Sequence, residues 1–218
     1  MDKIKKYNRL ITFGCSNTYG HGLDDCVTEK GSHGPDPSKN SWPFLLGNML
    51  EIEKVVNLAV PGSSNKQIAK KVIDYRDFTS EDLVIVGWTF IERDCIFLDE
   101  SKHLNCPYFT LGVSQTCKKN RIWQKTFFNY SDRVVETGMF SSLGAKHLKE
   151  NAGNYFGFFC CQSSSTYYQS NISSYEPIVD LEFAKILGKY GTVADGFHPN
   201  LRSHTEIAKK IKETIYET

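Results

Sequence analysis

The chain has 218 residues, with Lys+Arg 26 set against Asp+Glu 25 for a formal charge of +1 at pH 7. That balance supplies no basic footprint for a nucleic-acid partner. Hydrophobic residues at 40% and charged residues at 23% exclude collagenous, fibrous and disordered classes, and the length predicts a single domain over residues 1–218.

Met1-Asp2-Lys3-Ile4-Lys5-Lys6 runs straight into Arg9-Leu10-Ile11-Thr12-Phe13 with no apolar stretch of signal-peptide length. No later apolar run is long enough for a bilayer, so the expected setting is cytoplasmic, with no membrane partner. Arg9 to Phe13 reads as a buried strand ending at Gly14, followed by the loop Gly14-Cys15-Ser16-Asn17-Thr18-Tyr19-Gly20. Residues 21 to 40 are rich in Gly, Pro, Asp and Ser and read as an exposed loop. Ser41 then offers an N-cap, with Pro43 in the first turn of a helix to about Leu50.

Val55-Val56-Asn57-Leu58-Ala59 predicts a second buried strand, stopped at Pro61-Gly62. Ser63 or Ser64 can cap the next helix, which carries Ile68, Ala69, Val72 and Ile73 on one side. Leu83-Val84-Ile85-Val86 is the third strand, entering Gly87-Trp88-Thr89. Strands alternating with helices favour a parallel sheet, because parallel neighbours need crossover connections.

Residues 98 to 125 show no convincing period and read as an insertion. Parts of Phe127 to Glu150 are expected to be helical, and Tyr155 to Cys160 is apolar and aromatic enough for a fourth strand. Gln162 to Ser174 reads as a polar loop, Asp180 to Lys189 as a helix, and the last helix places Ile207, Ala208, Ile211 and Ile215 on one stripe.

Seven cysteines, at positions 15, 26, 95, 106, 117, 160 and 161, include no Cys-x-x-Cys pair. This argues against a zinc ribbon or a thioredoxin-type motif and favours reduced thiols, although three bridges and one free thiol fit the same count. No Gly-x-Gly-x-x-Gly or Walker-type loop is present, so no cofactor is expected, and no residue group has strong zinc spacing, so no metal is expected either.

Ligands of such sheets sit outside the carboxyl ends of the strands, which selects the loops beginning at Gly14, Pro61 and Gly87. These contribute Ser16, then Gly62 and Asn65, then Thr89, Glu92 and Arg93. A fourth piece, Asp195-Gly196-Phe197-His198-Pro199-Asn200, precedes the last helix. A serine hydroxyl is a weak nucleophile and needs an imidazole to take its proton and a carboxylate to orient that imidazole. Asp195 and His198, three apart on a turn, suit the last two roles. The backbone N–H groups of Ser16 and Gly62 and the Thr89 hydroxyl would serve as oxyanion donors. Each residue also has a plainer role: Ser16 as a helix cap, Gly62 and Asp195-Gly196 as turn residues, Glu92 and Arg93 as a surface ion pair.

Together these residues resemble the blocks of the SGNH (GDSL-like) hydrolases. Phe13-Gly14-Cys15-Ser16-Asn17-Thr18 is similar to their Gly-Asp-Ser-x-Thr block, and Asn57 through Gly62 to their strand-end Asn followed by Gly. Gly87-Trp88-Thr89-Phe90 falls on Gly-x-Asn-Asp, and Asp195-Gly196-Phe197-His198 on Asp-x-x-His. The Phe-Gly-Cys-Ser and Gly-Trp-Thr variants look like those of SGNH-like proteins in bacterial and phage gene sets.

The resemblance implies a three-layer α/β/α sandwich with a mainly parallel, flavodoxin-like central sheet. It implies Ser16 as nucleophile and first oxyanion donor, Gly62 as second donor, and His198 as base oriented by Asp195. The expected activity is hydrolysis of small acyl esters, such as acetyl groups on carbohydrate. Asn65, Glu92 and Arg93 are candidate substrate contacts, Arg93 for an anionic group.

Two positions depart from the pattern. Cys15 stands for the block-one Asp, a thiol being a weaker acceptor than a carboxylate, and Thr89 stands for the block-three Asn. Loss of one oxyanion donor costs roughly 10²–10³ in turnover, so the alternative reading is a weak or inactive SGNH-like module that binds glycan or protein. Cys15 itself is not expected to be the nucleophile, since its side chain should point away from that of Ser16. His204 is expected to pack or cap at the last helix. Oligomeric state is not written in the sequence.

Overall fold

The computed structural model describes residues 7–28, 33–90, 93–97, 108–111, 130–152, 154–160, 178–179 and 181–217. The elements in chain order are β1 (Arg9–Phe13), α1 (Ser16–Tyr19), a 3-10 turn (Asp24–Cys26), α2 (Trp42–Met49), β2 (Lys54–Asn57), α3 (Asn65–Asp74) and β3 (Asp82–Trp88). They continue with β4 (Asp94–Phe97), β5 (Tyr108–Leu111), α4 (Tyr130–Asn151), β6 (Tyr155–Phe159), β7 (Ile178–Val179), α5 (Phe183–Tyr190) and α6 (Leu201–Glu217).

A parallel sheet in the order β2-β1-β3-β6-β7 forms the centre. Alternation along the strands decides what covers each face. Leu10, Leu83, Ile85 and Phe158 point to one side, where they pack with Trp42 and Leu46 of α2, Phe183, Ile186 and Leu187 of α5, and Ile207, Ala208 and Ile211 of α6. Ile11, Phe13, Val84, Val86 and Trp88 point to the other, against Ile68, Ala69 and Val72 of α3 and Leu148 of α4. The result is the expected three-layer α/β/α sandwich.

Local signals account for the helix starts. Ser64 accepts from the Gln67 N–H while the Gln67 side chain accepts from the Ser64 N–H, a reciprocal capping box. Pro43 sits in the first turn of α2, where its missing N–H costs nothing. Asn200 Oδ1 accepts from the Ser203 N–H at 3.0 Å to cap α6.

Predicted and observed elements differ at their ends and in one region. The second strand ends at Asn57, because the Asn57 side chain turns back to accept from the Ala59 N–H. The third extends to Trp88. In the stretch read as an insertion, Tyr108–Leu111 pairs antiparallel with Asp94–Phe97 as a two-stranded ribbon. The other residues of 98–125 and the polar stretch 162–174 lie outside the described residues. No helix among the described residues is long and apolar enough to cross a membrane.

The ends of β1 and β3 farthest from the candidate site are fastened by a buried ion pair. Arg9 Nε and Nη2 donate to the two carboxylate oxygens of Asp82 at 2.9 and 2.7 Å, and Asp82 also accepts from the Thr79 N–H. Arg9 reaches the exposed Asp77 as well. Burial acts to raise the Asp82 carboxyl, but Arg9 and the Thr79 N–H outweigh it and hold the group below its ordinary value.

Removing one partner strands the other charge, so Arg9→Met is expected to cost about 3–5 kcal/mol by urea unfolding. Because the folded carboxyl titrates lower than the unfolded one, the contribution is present above roughly pH 4 and is lost as pH falls through the folded value. A flat stability profile below pH 4 in wild type would contradict this.

Candidate active site

The rim at the carboxyl ends of β1, β2 and β3 is built first by β1 and its loop. Cys15 leads into α1, and the helix begins at Ser16, which is buried to 6% exposure. A side chain at Gly14 would sit 2.2 Å from Thr18 Oγ1, so only glycine lets this turn close. The turn is stitched to its neighbours: Val60 N–H donates to the Gly14 carbonyl, and Asn57 Nδ2 donates to the Thr18 carbonyl at 2.9 Å. Gly62 follows in the left-handed region at φ 83°, with nothing within 4 Å of where a side chain would project.

The loop after β3 is held from below. Asn65 Oδ1 accepts from the Thr89 N–H at 2.7 Å, and Asn65 Nδ2 donates to the Thr89 carbonyl at 3.1 Å. Asn65 is itself buried, so its amide clamps main chain instead of facing solvent, unlike the substrate contact expected of it. Arg93 Nη1 donates to the Ser63 carbonyl and to Thr89 Oγ1, each at 3.3 Å, and so bridges two of the loops. Thr89 has no exposed surface. Its hydroxyl, expected as the third oxyanion donor, is engaged by Arg93 and faces the Cys15 thiol. Glu92 lies outside the described residues.

Cys15 is fully buried. Its thiol is held well below the ordinary thiol range, first by a hydrogen bond with Cys160, then by the Arg93 charge, the Thr89 hydroxyl and the Asn17 N–H, against the opposing effect of burial. The thiol thus sits among Cys160, Thr89 and the Asn17 N–H at the position where the SGNH-like pattern places Asp.

The last contribution comes from the turn before α6. Asp195 Oδ1 accepts from the N–H groups of Phe197 and His198 at 2.8 and 3.0 Å, and Asp195 Oδ2 lies 2.5 Å from His198 Nδ1. Burial works against the Asp195 charge, yet these donors hold the carboxyl below its usual range. The turn is anchored at both sides: Val193 N–H donates to the His198 carbonyl, and Asn200 Nδ2 to the Tyr190 carbonyl.

A residue that the sequence reading placed in an exposed loop joins the two halves. His21 donates its N–H to the Ser16 carbonyl at 3.1 Å, and its ring centroid lies 4.5 Å from that of His198. The Ser16 turn and the Asp195-His198 turn therefore share one rim. His21 could have been noticed as a second imidazole five residues past Ser16.

His204 behaves as expected of a structural residue. It is fully buried, and its Nδ1 accepts from the Trp42 N–H at 3.1 Å, satisfying the first turn of α2. Burial, with a smaller push from His198, lowers it to about 3.

No family model matches this sequence, and no curated relative matches it by sequence. Solved structures do match by fold. A catalytic mutant of Axe2, an acetylxylan esterase from Geobacillus stearothermophilus, superposes at a TM-score of 0.57 with 13% identity, over 98% of this chain and 96% of that one. A member of the lipolytic protein G-D-S-L family from Veillonella parvula gives 0.56 at 12% identity, over 96% and 99%. A carbohydrate esterase family 2 enzyme with a carbohydrate-binding domain, from Corynascus thermopiles (Myceliophthora fergusii), gives 0.57 at 12% identity, over 100% of this chain and 68% of that one.

The chain shares the fold of these esterases and of the lipolytic G-D-S-L family protein. In that fold, the loop after β1 and the turn before α6 meet at one edge of the sheet.

His204 supplies a test that separates structure from site. Its folded pKa lies below the unfolded value near 6.5, so neutral His204 stabilises the fold above that pH, and the contribution drains away as pH falls toward the folded value. Wild type should lose roughly 2 kcal/mol between pH 7 and pH 5 by urea unfolding, and His204→Gln should remove most of that slope. An unchanged slope in the variant would place the titration elsewhere.

Proposed function

We propose that this protein is a serine esterase acting on small acyl esters, with O-acetyl groups on carbohydrate as the first substrate class to test. The observation that carries the reading is the Asp195-His198 pair at 2.5 Å, joined through His21 to the Ser16 turn. The acetylxylan esterase and the carbohydrate esterase among the matching folds support the substrate class.

In this mechanism Ser16 Oγ attacks the ester carbonyl carbon as His198 takes the serine proton. The tetrahedral oxyanion receives hydrogen bonds from the Ser16 and Gly62 N–H groups. His198 then passes the proton to the departing alcohol oxygen, leaving an acyl-serine. Water, deprotonated by His198, releases the acid and restores Ser16. Asp195 fixes the ring and stabilises the imidazolium.

With Thr89 buried against Arg93 and Cys15, oxyanion stabilisation rests on two backbone donors. Turnover is accordingly expected to fall below that of an enzyme with three donors, by roughly 10²–10³. The same observation favours the second reading, a glycan- or protein-binding module without turnover.

The two readings separate cleanly with p-nitrophenyl acetate and a fluorophosphonate probe. The esterase reading expects covalent labelling abolished by Ser16→Ala, and hydrolysis reduced by about 10³ or more in Ser16→Ala and His198→Ala. Equal rates in wild type and Ser16→Ala, with no labelling of either, would leave the binding module.

A further inference from the structure

The rim holds one arrangement that ester hydrolysis does not call for. His21, Asp195 and His198 each bring one potential ligand atom within 4.8 Å of the other two. His21 enters from the Ser16 turn and the others from the turn before α6, so two separate chain segments converge on the same point. The buried Nδ1 of His21 has no hydrogen-bond partner among the described residues. Asp195 spends Oδ1 on two backbone N–H groups and turns Oδ2 toward the imidazole.

We propose that these three side chains form an inhibitory site for a zinc ion. Two imidazoles and a carboxylate are a donor set suited to zinc, with a fourth position for water. Tetrahedral bonds of about 2.0–2.2 Å place ligand atoms roughly 3.4 Å apart, so side-chain rotations would draw the farther atoms in from their spacing of up to 4.8 Å and, for a cation on Nδ1, open the 2.5 Å Asp195-His198 contact. The site keeps its carboxylate oriented by backbone donors whether or not a cation is present, and that second layer of hydrogen bonds is what metal ligands generally require.

Occupancy would stop proton transfer by either route open to it. A cation on His198 Nε2 takes the lone pair that the serine proton needs. A cation on Nδ1 replaces the proton shared with Asp195 and removes the orienting hydrogen bond. The binding half of the inference stands on the three side chains alone, and only the inhibition rests on His198 being the base.

Chelator-treated protein titrated calorimetrically with zinc chloride decides the binding. One site per chain is expected, weakened about tenfold or more in His21→Gln and in Asp195→Asn, with His33→Gln retaining it as a nearby imidazole control. Cobalt chloride gives a second readout: a visible spectrum without a thiolate charge-transfer band is expected, whereas such a band would assign the cation to cysteines and overturn the site. Zinc binding of equal strength in wild type and His21→Gln would overturn it too. Where p-nitrophenyl acetate is hydrolysed, zinc should inhibit wild type and require about tenfold more in His21→Gln. Binding without any esterase activity would sink the hydrolase reading and keep the site; activity without zinc binding would do the reverse.

Discussion

Parallel register across β1 sets where every candidate residue stands. Arg9 aligns with Lys54 on one side and Asp82 on the other, and three residues on, Thr12 aligns with Asn57 and Ile85. The loops after β1, β2 and β3 therefore leave the sheet at nearly one level and meet. A slip of one residue would turn Leu10 and Ile11 to the wrong faces and exchange their cores. The Arg9-Asp82 pair guards that register at the opposite end of the same two strands. An ion pair far from the rim thus bears on the rim's geometry through the stiffness of the strands between.

Asp195 and His198 stand outside this sheet logic. Their turn is fixed by the Asn200 cap of α6 and by hydrogen bonds to the end of α5. The same helix carries His204, which accepts from the first turn of α2. Packing of α6 on α2 and α5 accordingly sets the height of the imidazole over the Ser16 turn. That coupling makes the buried face holding Ile207, Ala208 and Ile211 part of the site's support.

Strands and helices with a clean apolar period were legible in the sequence: β1, α3, β3 and the stripe on α6 need no tertiary information to be seen. The strand-end blocks were legible as well, because the sheet rule converts their order into a common edge. Tertiary relations were not. Nothing in the spacing of Cys15 and Cys160, 145 positions apart, announces that the thiols meet across β3. His21 sat in a stretch whose glycines and prolines dominate any local reading, and its closeness to His198 exists only once two turns converge. The ribbon of β4 and β5 escaped because four-residue strands are shorter than any periodicity can certify.

Asn65 and Thr89 show how a residue can be placed correctly along the chain and still do something else. Both reach the expected edge, yet each turns inward: the amide to hold main chain, the hydroxyl toward Arg93 and Cys15. The two departures from the SGNH pattern therefore meet in one buried contact, the Thr89 hydroxyl facing the Cys15 thiol. A carboxylate at position 15 would need its own buried donors and would carry a fixed charge beside Arg93. A thiol takes that place with Cys160, Thr89 and the Asn17 N–H around it, and Thr89 is fully buried beside it.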